Sequence, residues 1–226
     1  MPALSQDQVA HYLEHGYVQV SGLIADDIVR RAEDAAWRGM GVDRNDPGTW
    51  DERPAGHPVF EDADLVACYA PSFLGAAAQL GEGDPDIASY GAPKAGYCIH
   101  TFPTEGEWRP SGPHLDHSIE EHGHRTFPHA FRIATMTFLN DVAPHGGGTL
   151  VWPGSHRTTM ALARSDPERY EYMWVLGRAM REQLDLGDPV ETTPRAGDVV
   201  FYHYLCSHSG SMNVCDYPRL AMNRKW

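Results

Sequence analysis

The feature that most constrains the fold is a change of periodicity near residue 87. Before it, apolar residues recur at helical spacing; after it, short runs of β-forming residues are separated by Gly and Pro turns. In the first part, "LSQDQVAHYLEHG" offers Ser5 and Gln8 as a capping box, Val9, Tyr12 and Leu13 as an apolar stripe, and Gly16 as a stop. "YVQVSG" then alternates like a strand, and "IADDIVRRAEDAAWRGM" gives a second helix. Residues 41–62 read as an irregular loop, "EDADLVACYAPSFLGAAAQL" as a helix interrupted at Pro71, and "GEGDPD" as a turn. In the second part, "AGYCIHTFP", "FRIATMTFLND", "GTLVWPGSH", "PRAGDVVFYHYLCSHSG" and "DYPRLAMNRKW" read as strands. Residues 104–129 read as a long polar loop and residues 165–184 as a helix. This order predicts an all-β core with flanking helices, a jelly-roll or cupin-like barrel. It also predicts one domain over residues 1–226, its helical part (about 1–85) packed on the barrel.

The bulk numbers exclude several classes. Apolar residues make up 42% of 226 residues, with six Trp and ten Tyr, which is not a disordered composition. The 31 acidic against 18 basic side chains give a formal charge of −13, a poor match for nucleic acid. No apolar stretch is long enough to span a membrane. Cys68, Cys98, Cys206 and Cys215 form no CxxC pair. The opening residues 1–12 include Asp7 and have no apolar core of a secretory leader. A cytoplasmic protein with reduced thiols is expected.

The chemistry-bearing residues are harder to choose, because 13 histidines compete for attention. In "SGPHLDHS", His114 and Asp116 stand two apart. On an extended segment both side chains share a face and Leu115 points away, so an imidazole and a carboxylate can hold one ion. Two ligands also describe a polar loop; a third would complete a facial triad that leaves metal positions open. "VVFYHYLCSHSG" supplies His203 and His208, and the pattern favours His208, which shares the parity of Tyr202, Tyr204 and Cys206. Arg219 follows His208 by 11 residues. Taken alone it reads as a surface cation paired with an acid. If the last two strands pair as a hairpin, it lies in the barrel, where a guanidinium fork requires an anion.

Together these segments resemble a known family, the phytanoyl-CoA dioxygenase-like Fe(II)- and 2-oxoglutarate-dependent oxygenases. "LSQDQVAHYLEHGYVQVSGLI" resembles its N-terminal helix and first strand, "PHLDHS" its HxD segment, and "GGGTLVWPGSHR" its Gly-rich strand. "AGDVVFYHYLCSHSGSMN" resembles the strand bearing the distal His, and "DYPRLAMNRKW" carries the Arg. The resemblance implies a double-stranded β-helix, His114, Asp116 and His208 as Fe(II) ligands, and Arg219 as the partner of the distal 2-oxoglutarate carboxylate. It implies an oxygenase that consumes O2 and 2-oxoglutarate, releases succinate and CO2, and hydroxylates or otherwise oxidises a small molecule. Related halogenases have a small residue at the carboxylate position, so Asp116 points to hydroxylation.

The chain departs from the family in having Gly146-Gly147-Gly148 where members often carry Glu-Asn-Gly. Thr149, just after, is the candidate donor to 2-oxoglutarate, and Trp152 a candidate wall of that pocket. His117, His100 and Tyr97 are candidates for substrate contact; His122, His124 and His129 read as loop or surface residues. Ser155-His156 has no nucleophile elbow and reads as the close of a turn, and the Gly run has no following Gly-Lys-Ser/Thr to cradle phosphate. A CoA thioester is suggested by the family name only, since no basic patch is evident. The competing readings are a jelly-roll binding module with a structural metal and a cupin-like metal enzyme that does not use 2-oxoglutarate. Oligomeric state is not readable, and a cavity within one chain needs no partner.

Overall fold

The computed structural model describes residues 3–81 and 93–226. The predicted turn at 81–86 therefore lies almost wholly outside the described residues. Helix α1 (Gln6–His15) begins with the expected capping box, Ser5 accepting from Gln8 N and Gln8 accepting from Ser5 N. Strand β1 (Tyr17–Val20) and α2 (Asp26–Met40) follow. The loop at 41–62 contains a 3-10 turn (Pro47–Glu52) and a two-residue strand, β2 (Val59–Phe60). Where one interrupted helix was predicted there are two, α3 (Ala63–Ala67) and α4 (Pro71–Leu80). Pro71 starts α4, where its missing N–H costs nothing.

The second part supplies β3 (Gly96–Cys98), β4 (Ile133–Phe138), β5 (Leu150–Val151), α5 (Ser155–Ser165), α6 (Met173–Gln183), β6 (Val190–Glu191), β7 (Val199–His203), β8 (His208–Ser209) and β9 (Ala221–Lys225). The helix predicted over 165–184 is α6, which starts later, at Met173; α5 ends where that range begins, and Ser155-His156 opens α5 instead of closing a turn. Ser155 Oγ donates to Trp152 O and accepts from Ser207 N, tying the start of α5 to two strand ends.

The strands form two antiparallel sheets, the core of a double-stranded β-helix. The six-stranded sheet runs β1-β7-β4-β9-β3-β2 and the three-stranded sheet β6-β5-β8. Strand β4 is buried on both faces, which is why it reads as a continuous apolar run. Its residues still sort by parity. Ile133 on β4, Val199 and Phe201 on β7 and Met222 on β9 pack outward against the N-terminal helices. Ala134, Met136, Val200, Tyr202 and Ala221 face inward, in the cluster shared with α5 and α6.

Two expectations about strand pairing are corrected. "VVFYHYLCSHSG" is not one strand: the chain turns at 204–207, and β7 and β8 lie in different sheets. Parity across that turn has no meaning. Nor do the last two strands form a hairpin: β8 pairs with β5, and β9 pairs with β4 and β3.

Candidate metal centre

His114 and His208 face each other across an isolated antiparallel bridge. His114 N donates to His208 O at 3.0 Å and His208 N donates to His114 O at 3.2 Å. Residues exchanging both bonds project their side chains to the same side, and the two rings lie 4.5 Å apart. Leu115 turns into the core, as the alternation requires, and Asp116 comes round beside His208. Asp116 Oδ2 is 3.6 Å from His208 Nε2. One ligand atom from each of His114, Asp116 and His208 lies within 4.8 Å of the others.

The donor chemistry fits a metal ion. His208 Nδ1 is 2.9 Å from Cys206 O. A carbonyl only accepts, so Nδ1 carries the proton and Nε2 presents its lone pair to the site. Asp116 Oδ2 is buried without a hydrogen-bond partner. Burial works to raise the Asp116 pKa, but His208, Lys225 and His114 outweigh it and hold the carboxyl well below the usual range. Desolvation by the cavity walls, then the His208 ring, lowers His114 to about 4. At neutral pH His114 is thus a neutral imidazole and Asp116 a carboxylate, and His208 turns Nε2 toward them.

These side chains open into a cavity of about 370 Å³ that is also lined by Arg219, Thr149, His100 and Tyr97. Arg219 reaches it through a bridge between its own backbone and Thr101, while its guanidinium donates to Thr101 Oγ1. The residue is 3% exposed. No carboxylate among the described residues lies within ion-pair distance of it, and its Nε has no partner. Burial lowers its pKa to about 10, still charged at neutral pH. His100 Nδ1 accepts from Ala221 N at 3.4 Å, so its proton sits on Nε2, which is buried and unpartnered. Burial, then Arg219, lowers His100 to about 3. Tyr202 stays a phenol, since burial and then Asp116 push its pKa well above 10. Its oxygen accepts from Asn223 Nδ2 at 3.1 Å, which leaves its own proton to donate. A buried unpaired guanidinium with neutral donors around it is a receptor for a carboxylate.

Two sequence candidates fall outside the cavity lining. Trp152 is buried, three residues beyond Thr149 and so on the opposite pleat face, and its backbone N–H donates to Ser207 O. His117 takes a left-handed φ of 59° and stacks on His124, with ring centroids 4.0 Å apart. His203, the alternative to His208, packs against His156 instead. The cavity also contains residues not singled out from sequence: His57, Thr101, Asn223 and Lys225. Their signal was available only in part. Asn223 and Lys225 share the parity of Arg219 on the last strand.

A family model described as phytanoyl-CoA dioxygenase matches residues 93–221. No curated protein sequence matches the chain. Among solved structures, the non-heme alpha ketoglutarate dependent carbocyclase SnoK from nogalamycin biosynthesis is 20% identical, with a TM-score of 0.61 over 99% of this chain and 84% of that one. The epimerase SnoN, in complex with Fe3+, alpha ketoglutarate and nogalamycin RO, is 22% identical, with a TM-score of 0.62 over 96% and 81%. EvdO2 from Micromonospora carbonacea var. aurantiaca, complexed with 2-oxoglutarate, is 14% identical, with a TM-score of 0.61 over 97% and 89%. At these identities the likeness establishes the fold.

Proposed function

Since the chain belongs to the phytanoyl-CoA dioxygenase family, we propose that it hydroxylates a small-molecule metabolite with Fe(II) held by His114, Asp116 and His208. The chain is a 2-oxoglutarate-dependent non-haem iron dioxygenase whose co-reactants are Fe(II), 2-oxoglutarate and O2. Arg219 is assigned to the distal carboxylate of 2-oxoglutarate, with Thr149 beside it. The observation that carries this reading is the buried Arg219, without an acid, in the same cavity as the His-Asp-His cluster.

Bound there, iron and 2-oxoglutarate supply the oxidising power, with succinate and CO2 as co-products and one oxygen atom going to the substrate. The chain's own residues position and exclude. Cys206 O fixes the His208 tautomer, so Nε2 is ready to ligate. Arg219 fixes the register of the keto acid by gripping its far end. His100 Nε2–H and the Tyr202 hydroxyl offer two neutral donors to carboxylate or keto oxygens. Met136 and Ile99 contribute apolar surface to the wall. With iron bound, Asp116 would be a ligand where a halide would otherwise be needed, which supports hydroxylation over halogenation.

We read residues 1–226 as one catalytic unit, with the helical part, about 1–85, bracing the outer face of the large sheet. No helix among the described residues is long and apolar enough to cross a membrane. The four free cysteines support a cytoplasmic location, and the charge of −13 disfavours a nucleic-acid partner.

The test is iron-dependent conversion of 2-oxoglutarate to succinate, measured alongside anaerobic formation of the coloured ferrous keto-acid chelate. Wild type should do both, and Asp116→Ala should lose both. Undiminished iron-dependent succinate formation by Asp116→Ala would overturn the ligand assignment.

A further inference from the structure

The cavity holds a second cation that the reaction class does not require. Lys225 ends β9, and its Nζ lies 3.4 Å from Asp116 Oδ1 and 5.4 Å from the centre of the Phe131 ring. Its side chain is 28% exposed and lines the cavity. Among the described residues, Asp116 is the one carboxylate within ion-pair distance of it. If Asp116 binds a divalent metal, its charge is committed to that metal. Lys225 is then a half-buried cation beside another cation, with a weakened partner. That arrangement is unfavourable until a second anion enters.

2-Oxoglutarate is poorly placed to be that anion through its far end. Arg219 and Lys225 leave the same extended segment six residues apart, roughly 20 Å along the backbone, and Arg219 takes the distal carboxylate in the proposed function. The surroundings of Lys225 indicate what the second anion is joined to. Tyr97 on β3 lies directly opposite Asn223 on β9, which makes it the diagonal neighbour of Lys225. Tyr97 is 39% exposed, and its ring centre is 5.9 Å from that of His57. Val59 stands opposite Tyr97 on the edge strand and is 58% exposed. An ammonium thus sits next to a flat aromatic and apolar shelf at the cavity.

We propose that Lys225 anchors an anionic group, carboxylate or phosphate, of the primary substrate, whose apolar body rests on Tyr97 and His57. The anchor makes Lys225 a specificity residue, selecting acids over their neutral derivatives and setting which C–H faces the metal. This inference rests on the proposed function.

The experiment uses the full chain loaded with Fe(II) and 2-oxoglutarate without oxygen. Benzoate, phenylacetate, indole-3-acetate and phenyl phosphate are titrated against the methyl esters and amides of the three acids. Binding is read from the visible absorption of the chelate, and stimulation from succinate release once oxygen is admitted. Acids or the phosphate should perturb the chelate while esters and amides do not, and the responding class identifies the anion. Lys225→Met should weaken the responding anion about tenfold or more, and Lys225→Arg should restore much of it. The affinity for 2-oxoglutarate, titrated separately, should hold within about twofold.

Esters binding as well as acids, no anion perturbing the wild-type chelate, or Lys225→Met matching wild type would each overturn the proposal. A loss of 2-oxoglutarate affinity in Lys225→Met would overturn it too, because the lysine would then serve the keto acid. Failure of wild type to form the chelate at all would instead remove the functional reading beneath it.

Discussion

A guanidinium that is 3% exposed and faces no carboxylate among the described residues raises the free energy of the empty protein. The same placement makes it a strong receptor once a carboxylate arrives, because both groups of the pair are then desolvated together. Arg219→Met separates these two effects. Met fills a similar volume without charge, so the metal-free, ligand-free variant should melt at the same temperature as wild type or higher. Its affinity for 2-oxoglutarate should fall about a hundredfold or more, as expected for breaking a buried charge pair worth roughly 3 kcal/mol. Calorimetry and chelate titration measure the two quantities. A variant that melts lower but binds 2-oxoglutarate normally would make Arg219 a structural residue. His100 and Tyr202 are secondary at this site, because their donors are neutral and a neutral hydrogen bond contributes less than a charged one.

At the scale of an element, the turn Gly197-Asp198 does more than introduce β7. Gly197 has φ 87°, and a Cβ there would meet Ile24 O at 2.7 Å, so the turn can only pass the first loop as glycine. Asp198 is 3% exposed and accepts from Gln19 Nε2 and Gly22 N at 2.9 Å and from Arg195 N at 3.0 Å. It therefore joins the loop after β1 to the start of β7. Asp198→Ala leaves these donors without an acceptor and should cost about 3 kcal/mol in urea unfolding, with Asp198→Asn milder. A loss below about 1 kcal/mol would show that water replaces the carboxylate. Sequence made this turn legible as a turn, because Gly-Asp before an apolar run is a local signal. Its partners Gln19 and Gly22 lie 179 and 176 residues away, and no local pattern announces them. The same limit applied to the site. The His114-Leu115-Asp116 spacing is local, so the first two members of the His-Asp-His cluster were readable. The break at 204–207 was not, because Tyr204, Leu205 and Cys206 continue an apolar pattern while the backbone changes sheets. His208 was selected by a parity that does not hold across the turn, and what fixes its direction is the bridge to His114. Lys225 stayed hidden because a charged residue near a chain end reads as solvated.

For the whole molecule, buried imidazoles make stability depend on pH, His100 and His203 most strongly. His100 Nδ1 accepts from Ala221 N, and His203 Nδ1 accepts from Leu205 N at 3.1 Å. Adding a proton at either Nδ1 sets two donors against each other in a desolvated place. Burial, then Arg219, lowers His100 to about 3, and burial, then His156, lowers His203 to about 3. A folded pKa below the unfolded 6.5 means that the unfolded chain binds the proton first. The stabilisation is present above pH 6.5 and is lost as pH falls from there toward 3. Between pH 6.5 and 5 each group should remove about 2 kcal/mol of unfolding free energy. Carboxylates with ordinary pKa values titrate mostly below that window, so relief of the −13 net charge does little to offset the loss there. Asp116, held below its ordinary range, stays ionised throughout and adds its own loss only at lower pH. Urea unfolding of the metal-free protein should therefore show a drop of at least about 3 kcal/mol between pH 6.5 and 5, to which His114 and His117, each lowered to about 4, add. His203→Phe should keep the fold, remove one proton-binding site from the balance, and reduce the drop by about 2 kcal/mol. A flat profile in wild type, or an unchanged slope in His203→Phe, would mean that these rings take up protons in the folded state as readily as in the unfolded one.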